Sequence, residues 1–150
     1  MKKLLFLLAL ILMACSPEAE NETPDDPIIG SWHYKKLLEY PAEGEVMETR
    51  GSDCFQKSTL TFSPNGDMSS VHYHFNAQGQ CEINERATTT DLSWERISEG
   101  KYRISGENGS TVRDLVDFPN SKTMRMFSYS PYTKDGKEIE RKADVYFRLE

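Results

Sequence analysis

The chain has 150 residues, with 18 basic and 24 acidic side chains and a net charge of −6. After any leader is removed, that length supports one domain with one core. The acidic balance excludes a nucleic-acid-binding face, whose phosphate partners demand clustered Lys and Arg, and it excludes a polybasic membrane-surface patch as well.

Residues 1–14 read as a processing signal. Lys2 and Lys3 form a basic start, and residues 4–14 are an uninterrupted run of eleven apolar side chains. The run fits a signal-peptide core of roughly 7–15 residues and falls short of the roughly 20 needed to span a bilayer. It ends in Leu12-Met13-Ala14-Cys15, which resembles the lipobox read by lipoprotein signal peptidase. That resemblance implies cleavage before Cys15 and attachment of diacylglyceryl and acyl (palmitate-type) chains to it; the alternative is a secretory peptide with an incidental cysteine. Each buried CH₂ contributes about 0.8 kcal/mol, so several chains anchor a protein essentially permanently. Ser16 after the cysteine implies sorting to the outer membrane. Glu18, Glu20 and Glu22 leave both the periplasmic side and the cell surface open.

Residues 16–27 (SPEAENETPDDP) hold three prolines, five acidic groups and no large apolar side chain. Such a stretch buries too little to order itself, so Cys15 and its tether cover 15–27 and the folded domain covers 28–150. Without Lys2 and Lys3 the chain keeps 16 basic against 24 acidic residues, a balance of −8. With Cys15 lipidated, Cys54 and Cys81 remain in an oxidising compartment and are expected to pair, closing a loop that contributes roughly 3–4 kcal/mol. A reactive thiol at Cys54 is the alternative.

From residue 28 onward, short aromatic and β-branched runs alternate with Gly, Asn, Asp and Pro clusters, which predicts antiparallel strands and no long helix. In 31–40, Trp32, Tyr34, Leu38 and Tyr40 share one face by the period of two, with Lys36 among them. A short strand follows at 46–49. Residues 58–62 form a clear strand, Asn65-Gly66 a turn that reaches positive φ cheaply, and 68–75 the partner strand with Val71, Tyr73 and Phe75 inward. Residues 81–83 follow a further turn. In 87–97, Leu92, Trp94 and Arg96 share a face; then come 101–105, 110–118, 122–129 with Met124 and Met126 inward, and 143–149 with Val145, Phe147 and Leu149 alternating with Tyr146 and Arg148. The total is about eight to ten strands. Neighbour-to-neighbour connections predict an all-β, antiparallel up-and-down meander that closes as a β-barrel.

Ile29-Gly30-Ser31-Trp32 looks like the Gly-x-Trp motif of lipocalins. Asp53-Cys54, then Ser58-Thr59-Leu60-Thr61-Phe62 and an Asn-Gly turn, and Leu92-Ser93-Trp94 before Gly100-Lys101-Tyr102, add to the likeness. Together these features resemble the lipocalin-like domain family of small bacterial lipoproteins. The resemblance implies that Gly30 and Trp32 form a structural motif at the closed end of the barrel. It also implies that an arginine from a late strand, here Arg148, covers the indole in a cation–π contact worth about 0.5–2 kcal/mol.

No nucleophile–base motif, phosphate loop, zinc signature or C-x-x-C is present, so neither an enzyme nor a cofactor is expected. His72 and His74, two apart on a strand, present both rings to one face; they either ligate a metal with an unnamed third group or face solvent. Tyr34, Lys36, Tyr73, Trp94, Arg96 and Met126 fall on faces shared with core residues and line either a ligand pocket or a plain core. Lys36 and Arg96, if inward, require an acidic partner, a ligand anion or a rim position. The expected role is non-catalytic: binding a small hydrophobic or amphipathic ligand. The rival is an interaction module, an accessory subunit or inhibitor at the envelope, contacting its partner through Arg125, Phe127 and Tyr129.

Overall fold

The computed structural model describes residues 26–107, 109–129 and 131–149. The expected export segment 1–14, Cys15 and most of the tether lie outside the described residues. The last two tether positions, Asp26 and Pro27, hydrogen-bond to the domain: the Tyr102 hydroxyl donates to Asp26 (2.8 Å) and Arg148 Nη2 to the Pro27 carbonyl (2.7 Å).

Alternating side chains build thirteen strands among the described residues. They are β1 (Gly30–Pro41), β2 (Met47–Arg50), β3 (Thr59–Phe62), β4 (Asp67–Val71), β5 (Tyr73–Phe75), β6 (Cys81–Ile83) and β7 (Thr89–Ser98), then β8 (Lys101–Gly106), β9 (Gly109–Arg113), β10 (Val116–Asn120), β11 (Thr123–Ser128), β12 (Tyr132–Lys134) and β13 (Lys137–Arg148). A 3₁₀ turn, Phe55–Lys57, precedes β3. Eleven strands form one antiparallel sheet in the order β10-β11-β13-β1-β3-β4-β7-β8-β9, with β2 beside β1 and β12 beside β13; β5 and β6 form a separate pair.

The order is meander-like, but the expected closed barrel is not what forms: the sheet is open, ending at β9 and β10. Topology supplies the reason. Every step along this nine-strand path is antiparallel, so β9 and β10 run in the same direction. Joining them would need a parallel ladder, and parallel neighbours require a crossover of roughly a dozen residues. Only Asp114 and Leu115 separate them. The chain instead steps from one edge to the other, the Val116 N–H donating to the Gly100 carbonyl (2.7 Å) and the Phe127 N–H to the Leu115 carbonyl (2.9 Å).

The β3–β4 hairpin turns at Asn65-Gly66, where Gly66 has φ +88° and the Asn65 Oδ1 accepts the Asp67 N–H at 3.1 Å. Its facing differs from the sequence expectation. Phe62 pairs with Met68 and Leu60 with Ser70, and all four are buried, so Met68 and Ser70 point inward rather than Val71, Tyr73 and Phe75. The expected single strand over 68–75 also breaks at His72. There the His72 N–H donates to Thr88 Oγ1 (3.0 Å) and the Tyr73 N–H to Ser58 Oγ (2.9 Å), side-chain acceptors that lead the chain out of the large sheet.

Trp32, Phe62, Met68, Tyr102, Val116 and Met124, drawn from strands across the whole order, form one buried cluster around which the sheet curls. Its lower end is sealed at β1. The fully buried Trp32 donates Nε1–H to the Ile28 carbonyl (2.8 Å), and the Arg148 guanidinium lies 4.2 Å over the indole ring. Arg148 also donates to the carbonyls of Ile29 (2.6 Å) and Ser121 (2.9 Å), tying the start of β1 to the end of β13. Gly30 makes this possible: its φ is +130°, and a Cβ there would stand 2.5 Å from Arg148 Nη1.

Candidate functional site

The upper part of the inner face is not filled. A hollow of about 230 Å³ is lined by Tyr34, Phe55, Ser58, Thr59, Leu60, His72, Asp144 and Tyr146. It exceeds the ~150 Å³ of an apolar cavity that takes benzene and lies below the ~300 Å³ at which drug-sized sites begin. One ring or a short chain fits.

A β-bulge builds its main wall. Tyr34 pairs with Tyr146, then the register shifts so that Lys36 pairs with Val145 and Leu37 with Asp144. The extra residue re-aims the side chains that follow. Lys36 turns outward with Val145 and pairs with Glu48 at 2.7 Å, and Leu37 takes the inner face beside Asp144. The Tyr34 and Tyr146 rings meet edge to face, centroids 5.8 Å apart. Gly51 leaves the Tyr34 ring its space, since a Cβ there would come within 2.7 Å of it.

The opposite wall is held by the Cys54–Cys81 disulfide, whose Cα atoms are 5.5 Å apart. It ties the β5–β6 pair to the 3₁₀ turn that carries Phe55. Ser58, buried, is fixed by the Tyr73 N–H. At the floor, Leu60 belongs to the core cluster.

Burial sets the electrostatics. It pushes the Asp144 carboxyl above the usual aspartate range, against the opposing pull of Lys142 and Arg113. It lowers the His72 imidazole below its ordinary value, so that ring is neutral at pH 7. Burial first, and the Asp144 charge second, raise the Tyr34 and Tyr146 phenols, which stay protonated. Among the described residues no hydrogen bond links Ser58, His72 and Asp144 to one another, and no group of three or more His, Cys, Asp or Glu could hold a metal ion. Among the described residues, Ser58, His72 and Asp144 thus form no hydrogen-bonded nucleophile–base pair.

Of the six residues expected to bind ligand, only Tyr34 lines the hollow. Met126, buried, stands opposite Asp144 in the β11–β13 register and backs it. Trp94 packs on Phe62 (6.0 Å) and Tyr102 (6.1 Å) and donates to the Ser63 carbonyl (3.0 Å), closing the lower end. Arg96 sits on the lower rim, 3.4 Å from Asp26. Lys36 is outside, and Tyr73 lies on the small sheet opposite Ile83. His72 and His74 part company: His72 lines the hollow, and His74 faces Glu82 at 3.7 Å. The stripe Arg125, Phe127 and Tyr129 is not a continuous exposed surface. Phe127 is buried under Tyr40 (5.7 Å) and Arg141 (5.4 Å), and Arg125 is paired to Asp117 at 2.5 and 2.7 Å. Asp144 and Tyr146 escaped the sequence reading. A carboxylate flanked by Ala143, Val145, Tyr146 and Phe147 in one strand was the signal for them.

The sequence profile of the lipocalin-like domain family matches residues 28–130. The chain belongs to that family. No curated protein matches it at a significant level.

Proposed function

We propose that the chain is a lipid-anchored, non-catalytic binding protein of the outer membrane, holding a small hydrophobic or amphipathic ligand in the Tyr34–Tyr146 hollow. One observation carries the reading: the inner face, packed by the core cluster below Leu60, opens above it into a space lined by aromatic rings with one half-buried carboxylate. Apolar walls with few convergent polar groups are what small-molecule sites have in common. The anchor rests on Lys2-Lys3, the apolar run and Leu12-Met13-Ala14-Cys15.

Native mass spectrometry of the protein purified from its host tests the binding role. A co-purified small molecule, absent after denaturation, is expected; an empty chain together with a stable protein complex would favour the interaction-module alternative. Radioactive palmitate should label the wild type and not Cys15→Ala, and membrane association unchanged in that variant would refute the anchor.

A further inference from the structure

We propose that the hollow selects ligands bearing a protonated amine beside a single ring or short apolar segment, with the ammonium meeting Asp144 and the apolar part lying against Tyr34, Tyr146 and Leu60. The inference rests on the reading of this hollow as a binding site and adds the chemistry of its occupant.

Asp144 sits in the middle of β13 between the cross-strand neighbours Leu37 and Met126, with Tyr146 next on its own face. Leu37 and Met126 offer it no donor, and among the described residues no hydrogen bond joins the Tyr146 hydroxyl to it. Among the described residues no hydrogen bond or ion pair reaches its carboxylate, which opens instead onto the hollow. Two cations act on it from a distance. Lys142, two positions along the same strand, places its ammonium 6.0 Å from the centre of the Tyr132 ring, and Arg113 acts from β9 with a buried Nε that has no hydrogen-bond partner among the described residues. Even so, burial prevails and the carboxyl titrates above its ordinary range, so its charge is under-compensated.

A half-buried anion in that condition gains most from a ligand that brings a positive donor. A ligand carboxylate would meet like charge, and a purely apolar ligand would seal Asp144 from water with nothing in exchange. The rest of the wall suits a cation. Three aromatic rings, Tyr34, Tyr146 and Phe55, border the space, and aromatic rings attract cations; His72, neutral at pH 7, does not repel one.

Calorimetric titration of the full chain with benzylamine, benzyl alcohol and benzoate at pH 7 decides the matter, since the three share one ring and differ in the charge they carry. Benzylamine should bind the wild type about tenfold more tightly than benzyl alcohol, the increment of one charge-assisted hydrogen bond. Asp144→Asn, nearly isosteric, should remove that advantage and bring the affinity for benzylamine down to that for benzyl alcohol. Equal affinities for amine and alcohol, tighter binding of benzoate, or an undiminished preference in Asp144→Asn would overturn the amine selectivity while keeping the hollow as a site. Absence of heat with all three would overturn both. The wild-type preference is readable whether or not the variant folds.

Discussion

Two carboxylates on the inner face respond to pH in opposite directions. Glu39 is only 2% exposed, and burial alone would raise its pKa. Hydrogen bonds from Lys134 and the Tyr132 hydroxyl outweigh that and hold it below its ordinary value, while Tyr132 itself is pushed up to about 12 by Glu39. A carboxylate with a depressed folded pKa stabilises the fold above its unfolded value of 4.5 and loses that contribution as pH falls through the folded one. Tyr132→Phe should therefore cost about 1–2 kcal/mol at pH 7, and urea unfolding should show the cost shrinking as pH falls below 4.5. Asp144 has the reverse sign. Its folded pKa is raised, so the native chain holds more protons than the unfolded one, and stability falls as pH rises from the ordinary aspartate value through the folded one. Asp144→Asn should raise Tm at pH 7, a gain that disappears at pH 3; a lower Tm at pH 7 would mean that the charge is well compensated. At the closed end, Gly30→Ala forces a side chain into φ +130° and against Arg148. A loss of about 1–3 kcal/mol is expected in urea midpoints.

Among the elements, those with strong local signals were readable from the sequence. Gly66 at positive φ and the alternation of Leu60 and Phe62 marked the β3–β4 turn and the facing of β3, and the parity of the thiols marked the Cys54–Cys81 bond. Facing was lost where a single residue breaks the period of two. The extra residue near Lys35 reverses the side chains after Tyr34, and the break at His72 ends β4 at Val71, so the expected alternation of Val71, Tyr73 and Phe75 is divided between two sheets. Neither event leaves a composition signal, because a bulge is set by pairing with β13 and the break by acceptors at Thr88 and Ser58, both distant in sequence. The disulfide does more than close a loop, since it holds Phe55 over the hollow. Cys54→Ala with Cys81→Ala should lower stability by about 3–4 kcal/mol on the loop-entropy model. The same double variant should weaken benzyl alcohol binding, whereas unchanged affinity would show that the 3₁₀ turn holds its place without the bond.

At the scale of the molecule, an odd number of antiparallel strands decides the architecture. Nine strands on the path leave two edges that run the same way, and a two-residue link cannot supply the crossover needed to pair them. Count and connectivity, not composition, separate this open curled sheet from a closed one, and a sequence reading that is uncertain by one strand cannot see the difference. The candidate site was only partly legible for a related reason. Tyr34 was recognisable from its alternation with Trp32, but Asp144, Tyr146 and His72 reach the hollow through the bulge, the β1–β13 register and the break, all of them long-range features. Ligand should enter this hollow, and not the more polar one of about 450 Å³ beside Leu92 and Ile104. A chemical-shift map with benzyl alcohol tests it most directly. The methyl signals of Leu60 and Met126 and the ring signals of Tyr34 and Tyr146 should move while those of Ile97 stay fixed. Shifts confined to Leu92 and Ile104 would contradict it.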